Sequence, residues 1–490
     1  MDNSSFRDPR SAIRDHGRRH FLYSSAFGLG GLGLLHLLQQ DGLLAAPPKP
    51  DLTPTTYDLT PKPPHFAPKA RAMISIFLIG GPSQMDLFDP KPKLQQYDGK
   101  DFPGEVKYDN PAQASRKVLG SPWKFKPYGK CGTAMSELVP HIGGIADDIC
   151  LIRSMHTGVN NHLPSMYALN CGKGVGGRPT LGSWLTYGLG SVSQELPAFV
   201  AMTDPRGGPL IGGENWANGF LPSLYQGTVA RPKDPRILNL DPPAFLKGKP
   251  QEAQLELLRE LNANHLAAHA GEGDLAARMA SYELAAKMQL AAKEAFDISK
   301  ETTETHKLYG IDNATTKDYG TRCLIARRLI ERGVRYVQLW NQGQNWDHHG
   351  AIFGELPKRC REVDQPSAAL VTDLKRRGLL DSTVVHWGGE MGRLPVIQND
   401  LGRDKVGRDH NTYGFSMWVA GGGFKPGSVY GETDDFSHTA VKDVVHHYDW
   451  LATLMQRFGL DMEKLTYKRN GRELTLTDGQ PGKIVKGILA

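Results

Sequence analysis

TVVHWGGEMGR, residues 383–393, is followed by a polar segment containing GRDHN (407–411) and by a second apolar run, FSMWVAGGG (415–423). A β-branched run that stops in Gly-Gly-Glu, then a polar segment, then a second apolar run predicts a strand, a loop and another strand. The polar part contains Glu390, Asp409 and His410. Carboxylates and imidazoles at strand ends suit a metal site, because a rigid sheet holds such ligands in register. The stretch therefore predicts metal-dependent chemistry on a sheet.

Similar apolar runs recur along the chain and alternate with helical patterns. They predict further strands at 70–79, 149–154, 196–202 and 334–340. Helical spacing predicts helices at 135–147, 319–332 and 441–458, a helical pair over 250–300, and a short hairpin within 464–478. The repeated helix-to-strand order predicts an α/β fold, a doubly wound, mostly parallel sheet with helices on both faces, and ligands at the carboxyl ends of its strands.

The N-terminus has the layout of a twin-arginine export signal. Arg18 and Arg19 precede a Gly-rich apolar run, 26–38, and small residues at Ala45 and Ala46 suit a cleavage site. The alternative is a membrane anchor, but this run is shorter than the roughly 20 residues that span a bilayer. We expect a signal segment at 1–46, a Pro- and Lys-rich linker at 47–69, and one domain over 70–490 with a helical insertion at about 250–310. Export by this route predicts a periplasmic, cell-surface or extracellular protein and a transient partner in the export machinery.

Composition limits the choice of ligand. The net charge of +6 is spread along the chain, which argues against nucleic acid and mildly favours an anionic substrate. The five cysteines are widely spaced, without a C-x-x-C pair, and indicate buried thiols rather than a disulfide framework or a zinc knot.

The loop after the predicted strand 334–340 carries a second group of candidate ligands. In NWDHHG (345–350), Asp347 and His349 offer a carboxylate and an imidazole that can converge on one cation. The alternative is a solvated loop with surface histidines. For the first stretch the alternative is that Glu390 only forms a salt bridge with the neighbouring Arg393.

Two further segments supply candidates. In MHTGVNNHLPS (155–165) a strand leads into a helix that begins near Pro164, and a helix N-terminus offers backbone N–H groups to an anion. Asp86, in GGPSQMDLFDPKP (80–92), is a candidate metal ligand; the alternative is an Asx-type turn before Pro90.

Together these segments resemble the bacterial domain-of-unknown-function family 1501, which is placed in the alkaline phosphatase and sulfatase superfamily. The similar motifs are GGPSQMDLFDPKP (80–92), RSMHT (153–157), NH (161–162), GRPTLGSW (177–184), WDHH (346–349), GEMGRLP (389–395), GRDHN (407–411) and AGGG (420–423). The resemblance implies a doubly wound sheet that holds one or two divalent cations. It also implies a nucleophile at a helix N-terminus that forms a covalent ester with the substrate.

The resemblance assigns roles unevenly. HLPSMYALNCG (162–172) is similar to the helix that carries the nucleophile in sulfatases, and His162 occupies the position of that nucleophile. Four roles are open for His162: nucleophile, proton donor, metal ligand or structural histidine. Thr157 and Ser165 are alternative hydroxyls. Asn161 and Arg393 are expected to bind the anion.

The resemblance also implies the metal ligands. His410 joins Asp347 and His349 in one metal site, with Asp409 beside it. A second site would use Asp86 and Glu390, but Met391 stands where the superfamily has a histidine, so this site is expected to be weak or absent. The ligating aspartate that normally ends the first strand is replaced by Gly80 or Gly81.

These expectations define a function. The chain is expected to be an exported, metal-dependent hydrolase of phosphate or sulfate esters, with zinc, calcium, magnesium or manganese as the divalent ion and an anionic small molecule or glycan as substrate. The alternative is a non-catalytic exported protein that binds metal or glycan on the same scaffold. A phosphosugar mutase is disfavoured by export.

Overall fold

A nine-stranded sheet forms the centre of the fold in this computed structural model. The structure describes residues 58–106, 108, 115–238, 240, 252–269, 273–398 and 402–490. The predicted signal segment, 1–46, and residues 47–57 of the predicted linker lie outside these residues.

The strands of the described residues are β1 (Ala72–Phe77), β2 (Phe125–Tyr128), β3 (Thr133–Ser136), β4 (Ile149–His156), β5 (Phe199–Met202), β6 (Thr228–Ala230), β7 (Tyr336–Trp340), β8 (Thr383–Gly388), β9 (Gly392–Ile397), β10 (Arg408–Asn411), β11 (Phe415–Ala420), β12 (Ser428–Tyr430), β13 (Glu432–Thr433), β14 (Ala440–Lys442), β15 (Val445–His446), β16 (Tyr467–Arg469) and β17 (Arg472–Leu474). The helices are α1 (Gln84–Leu87), α2 (Pro92–Gln96), α3 (Pro140–Gly144), α4 (His162–Cys171), α5 (Leu181–Leu189), α6 (Glu252–Ala268), α7 (Gly273–Phe296), α8 (Thr303–Leu308), α9 (Lys317–Glu331), α10 (Ile352–Arg376) and α11 (His447–Arg457).

The central sheet has the order β12-β4-β11-β8-β1-β7-β5-β6, with β15 also paired to β4. β1 is parallel to both β7 and β8, and β5 is parallel to β6 and β7. β11 is antiparallel to both of its neighbours, β4 and β8. The sheet is therefore mostly parallel, as predicted, with one reversed strand inside it.

Helices cover both faces of this sheet. The alternating side chains of β1 enter two separate cores, with Ile74 on one side and Met73 on the other. The core around Ile74 includes Leu324 of α9 and Leu370 of α10. The opposite core includes Trp184 of α5, together with residues of α4 and α11. Burial on both faces explains the continuous apolar character of the strands, and it confirms the doubly wound α/β class.

Two predicted helices are shorter than expected. Residues 135–147 begin in β3, and the helix starts only at Pro140, since proline is favoured in a first helical turn. β14 and β15 lie within the predicted span, and α11 begins only at His447, because the His446 ring accepts the Tyr448 N–H while Asp449 accepts the His446 N–H. This capping box fixes the helix start.

The predicted loop between β8 and β11 contains an antiparallel hairpin, β9–β10. The polar residues of this hairpin made the segment resemble a solvent-exposed loop. Arg393 and Arg408 are nevertheless fully buried, because each forms an ion pair with a buried or half-buried carboxylate. The 25-residue α10 contains Pro357 and Pro366, which interrupt its helical pattern in the sequence. The helical insertion coincides with α6, α7 and α8, and the predicted hairpin near the C-terminus with β16–β17.

None of the described helices is long and apolar enough to cross a membrane. The five cysteines are free thiols, and all except Cys131 are buried.

Candidate metal centre

Four side chains from three parts of the chain meet beyond the carboxyl ends of the central strands. His162 is the first residue of α4, Asp347 and His349 follow β7, and His410 lies on β10. One ligand atom from each residue lies within 4.8 Å of the others. Such convergence is what one metal ion requires of its protein ligands.

The Asp347 carboxylate lies at the centre of this cluster. Its Oδ1 is 2.9 Å from His349 Nε2 and 3.3 Å from His410 Nε2, and its Oδ2 is 3.2 Å from His162 Nε2. The two Nε2 atoms of His349 and His410 are 3.0 Å apart. All three imidazoles therefore present the same ring nitrogen to the carboxylate.

Neighbouring acceptors orient two of these rings. His162 Nδ1 donates to Glu390 Oε1 at 2.6 Å, and this oxygen also accepts the Gly80 N–H at 2.9 Å. His349 Nδ1 donates to the side-chain oxygen of Gln398. A proton held on Nδ1 leaves the Nε2 lone pair for a metal, as in the carboxylate–histidine–metal arrangement.

The electrostatics of the cluster suit a cation. Burial alone would raise the pKa of Asp347, but the charge of Arg393 and the hydrogen bonds of the three histidines lower it well below its usual range. Burial alone would lower the pKa of His162, but Asp347 and Glu390 raise it to about 9. Burial is the main cause of the lowered pKa of His410. Without a metal, His162 carries a proton at neutral pH that a bound cation must replace.

A glycine in the turn after β1 makes room for the Asp347 loop. Gly80 has φ +114°, and a Cβ at this position would lie 2.3 Å from the Asp347 backbone nitrogen. A ligating aspartate cannot stand there, because the loop that carries Asp347 occupies that space. At the next residue, Gly81, a Cβ would meet Met391 at 2.8 Å. Met391 thus packs on the turn where the superfamily pattern has a second-site histidine.

The donor set indicates the kind of metal. Three imidazoles and one carboxylate suit Zn²⁺ or another first-row transition metal such as Mn²⁺, whereas Ca²⁺ and Mg²⁺ prefer cages made of oxygen ligands. The orienting hydrogen bonds of His162 and His349 are those that such a site requires. The residues therefore fit a transition-metal ion better than calcium or magnesium.

Asp86, expected as a metal ligand, does not join the cluster. Its carboxylate accepts two hydrogen bonds from the guanidinium of Arg408, at 2.8 and 3.1 Å, and a third from Ser83 at 2.6 Å. Both partners of this ion pair are fully buried. Its oxygens are committed to Arg408 and Ser83, so Asp86 does not act as the metal ligand for which it was a candidate.

Arg393, expected to bind an anion, is fully buried and donates to Gly80 O, Gly81 O and Asp347. This geometry does not fit anion binding, since the guanidinium is engaged in holding the Asp347 loop. Asn161 accepts the Leu163 N–H as the N-cap of α4.

The remaining predicted residues lie near the cluster in other roles. Asp409 Oδ1 accepts the His410 N–H and is 3.7 Å from His349 Nδ1. Thr157 is buried, and its backbone N–H donates to the Thr412 carbonyl. The hydroxyl of Ser165 donates to the Val159 carbonyl. Glu390 supports His162 instead of forming part of the four-residue group.

Gln398 is the orienting residue that the sequence did not suggest. It follows β9 and is 49 residues from His349 in sequence. A lone glutamine after an apolar strand carries no signal of its own, and the contact depends on the β9–β10 hairpin.

Three of the solved structures to which this chain is similar are the following. PsFucS1 sulfatase from Pseudoalteromonas sp. is 13% identical, with 86% of this chain and 72% of that chain covered and a TM-score of 0.38. An alkaline phosphatase superfamily protein from Vibrio parahaemolyticus is 10% identical, with 84% and 71% covered and a TM-score of 0.32. Phosphonate monoester hydrolase of Agrobacterium radiobacter is 10% identical, with 86% and 77% covered and a TM-score of 0.30. With TM-scores this low, the likenesses say nothing about activity.

No curated protein matches the chain significantly. A family model, however, matches residues 70–489, from the start of β1 almost to the C-terminus. This span includes the four residues of the cluster and their orienting partners. The chain therefore belongs to the family described as protein of unknown function (DUF1501).

Proposed function

We propose that this protein is a metal-dependent hydrolase of phosphate or sulfate esters. The observation that carries the proposal is the convergence of His162, Asp347, His349 and His410 within 4.8 Å. A divalent ion held there would polarise an ester oxygen and lower the pKa of a water molecule.

The position of His162 favours attack by water over attack by a side chain. His162 is the residue at the nucleophile's place, but its Nδ1 is bonded to Glu390 and its Nε2 faces Asp347. The Ser165 hydroxyl on the same helix is bonded to the Val159 carbonyl. We infer a single displacement, in which the water oxygen bonds to phosphorus or sulfur, the bond to the alcohol oxygen breaks, and one proton of the water passes to the alcohol oxygen, directly or through solvent.

Exposure indicates the side from which a substrate approaches. The side chain of His349 is 32% exposed, whereas those of His162 and His410 are 6% and 5% exposed. Asp347 is intermediate at 15%. The ester would therefore reach the cluster over the face of His349.

Metal content and hydrolysis measured together test the proposal. We expect purified native protein to contain about one equivalent of a transition metal per chain and to hydrolyse 4-nitrophenyl phosphate or 4-nitrophenyl sulfate. Asp347→Asn should lose both properties, because it removes the charged central ligand. The matched variant Asp312→Asn changes an exposed aspartate outside the cluster and should keep both.

A native protein without metal, or an Asp347→Asn variant with full metal content, would contradict the proposal. Stoichiometric metal without hydrolysis of any ester would favour the alternative, a binding protein on the same scaffold.

We further propose that the protein is exported by the twin-arginine route, on the basis of Arg18, Arg19 and the short apolar run that follows. Replacing both arginines by lysine should retain the full-length chain in the cytoplasm. Unchanged export, measured by cell fractionation, would exclude this route.

A further inference from the structure

A cavity of about 440 Å³ lies beside the segment that carries His410. One of its walls is the loop 102–105, another is the loop 434–439, and Tyr413 also lines it. Its volume is within the range of about 300–1,000 Å³ that small-molecule sites occupy. None of the described residues that line it belongs to the four-residue metal cluster. The cavity is therefore a candidate binding site of its own.

The wall 434–439 and Tyr413 are attached to the strand of His410. Tyr413 follows His410 by three residues, so their Cα atoms are no more than about 11 Å apart. The Asn411 side chain at the end of β10 donates to the carbonyls of Ser437 and His438. This part of the cavity therefore lies next to the metal cluster.

The wall 102–105 is attached to the same hairpin. The Phe102 N–H donates to the Arg116 carbonyl at 2.7 Å, and the Ser115 N–H donates to the Ile397 carbonyl at 3.2 Å. Ile397 ends β9, the strand that pairs with β10. The β9–β10 hairpin thus positions both walls relative to His410.

Aromatic rings form the apolar part of the lining. The ring centroids of Phe102 and Phe436 are 4.9 Å apart, and those of Phe102 and His438 are 5.6 Å apart. Tyr97, which does not line the cavity, packs against Phe436 at 5.4 Å. Tyr413 adds a further ring to the lining. Rings that pack on one another form a rigid wall, and their π-electrons attract cations.

The charged part of the lining is acidic. Glu105, Asp434 and Asp435 line the cavity, whereas no described lysine or arginine does. Lys93 pairs with Asp435, and Arg116 donates to a backbone carbonyl of the loop 102–105, but neither of these cations lines the cavity. The carboxylates of Glu105 and Asp434 therefore give the interior its negative charge.

This lining indicates the charge of the ligand. Carboxylates repel a phosphate or sulfate group, so the ester group itself does not fit the cavity. Aromatic rings together with carboxylates suit an alkylammonium group, since the rings contact its methyl or methylene groups and attract its charge. A ligand with both an anionic ester and a cation matches the metal cluster and the cavity at the same time.

We propose that the cavity binds the alkylammonium group of a substrate whose phosphate or sulfate ester lies at the metal cluster, so that the substrate is an ester of an amino alcohol. The position of the ester group rests on the proposed function. The affinity of the cavity for a cation does not depend on it.

Titration calorimetry on the full chain tests the cavity without turnover. The first probes are choline and 3,3-dimethyl-1-butanol, in which carbon replaces the charged nitrogen. We expect choline to bind at least tenfold more tightly, with or without zinc. The second probes are choline phosphate and choline sulfate, which should bind the zinc-loaded protein at least tenfold more tightly than choline does.

Substitutions in the lining should reduce the preference for choline. Tyr413→Leu removes a ring and Glu105→Gln removes an exposed carboxylate. We expect each to lower the affinity ratio of choline to the neutral alcohol by threefold or more, with zinc content kept. Tyr282→Leu and Glu304→Gln change exposed residues of α7 and α8 outside the cavity and should leave the ratio unchanged.

Equal or absent binding of choline and the neutral alcohol by the wild type would overturn the proposal, as would an unchanged ratio in both lining variants. Equal affinity of zinc-loaded protein for choline and for its esters would overturn the link to the metal cluster. Failure of the hydrolase is distinguishable: preference for choline without hydrolysis of any ester removes the proposed function and keeps the cation site, whereas hydrolysis of 4-nitrophenyl esters without that preference does the reverse.

Discussion

His162 contacts two carboxylates at the metal centre, those of Asp347 and Glu390. Its Nδ1 lies 2.6 Å from Glu390 and its Nε2 lies 3.2 Å from Asp347. Glu390 is fully buried, and the same oxygen accepts the Gly80 N–H. A single buried oxygen therefore links the ring orientation of His162 to the end of β1.

At this scale we predict that Glu390→Gln weakens metal binding without unfolding the protein. The amide oxygen can still accept from His162 Nδ1, but the loss of charge makes the imidazole a weaker ligand. We expect the dissociation constant for Zn²⁺ to rise by about 10–100-fold, the usual effect of changing an orienting partner, measured by competition with a chelator.

Glu362→Gln is a suitable control, because Glu362 pairs with Arg206 and Arg359, away from the cluster. Equal zinc affinity in Glu390→Gln and the wild type would show that the 2.6 Å contact does not tune the metal ligand.

Among the secondary-structure elements, the turn after β1 determines where the Asp347 loop can lie. The Trp346 N–H donates to the Ile79 carbonyl, which fixes the loop beside the turn. Arg393 of β9 holds the loop from the other side through Asp347 and the carbonyls of Gly80 and Gly81. β1, β7 and the β9–β10 hairpin therefore position the central ligand together.

We predict that Gly80→Ala displaces Asp347 and sharply reduces metal binding. The added Cβ would lie 2.3 Å from the Asp347 nitrogen, and φ is positive, so both the loop and the turn must shift. Strain and overpacking together should lower the free energy of unfolding by about 2–5 kcal/mol, measured by denaturant titration alongside zinc content.

Gly99→Ala separates the two causes. Gly99 also has positive φ, +74°, but open space surrounds its Cβ position. Backbone strain alone should cost about 1–2 kcal/mol and leave zinc content unchanged. A Gly80→Ala variant that behaves like Gly99→Ala would contradict the close approach of the loop.

At the scale of the whole molecule, two histidines outside the metal cluster are buried in the uncharged form. Burial lowers the pKa of His386 to about 3, and burial next to His446 and His156 lowers the pKa of His447 to about 3. The unfolded chain takes up these protons near pH 6.5. Stability from these groups is thus present above pH 6.5 and is lost as the pH falls towards 3.

We predict that His447→Gln reduces the acid sensitivity of the protein. On lowering the pH from 7.5 to 5.5, the wild type should lose about 1.4 kcal/mol more of its free energy of unfolding than the variant does, since the imidazole of the unfolded chain goes from about one-tenth to about nine-tenths protonated while the folded one stays neutral. Urea unfolding of both proteins at the two pH values measures the difference. Parallel pH profiles would show that His447 is not held neutral.

The sequence was sufficient for the central strands and for three metal-cluster residues. Each strand is buried on both faces, so its apolar run marks it without reference to any partner, and β1, β4, β7, β8 and β11 follow from their own residues. The end of β7 indicated Asp347 and His349, because in a parallel sheet the carboxyl ends of the strands meet at one edge. His410 lies on β10 and was assigned to the site by the resemblance of residues 407–411 to the family.

Long-range packing decided the features of the site that the sequence did not predict. Asp86 and Arg408, 322 residues apart, neutralise each other in the interior, and no local pattern shows that an acid is already paired. The β9–β10 hairpin was not predicted, because arginines in a sequence normally indicate a solvent-exposed loop, whereas those of this hairpin are buried. The role of His162 depends on Glu390, 228 residues away, which accepts a hydrogen bond from Nδ1 and so turns Nε2 towards Asp347. The sequence by itself determined the buried strands and the candidate ligand side chains at their ends, because burial patterns are local. The tertiary structure decided which of these side chains meet, because ion pairs and ligand sets join residues that only the folded chain brings together.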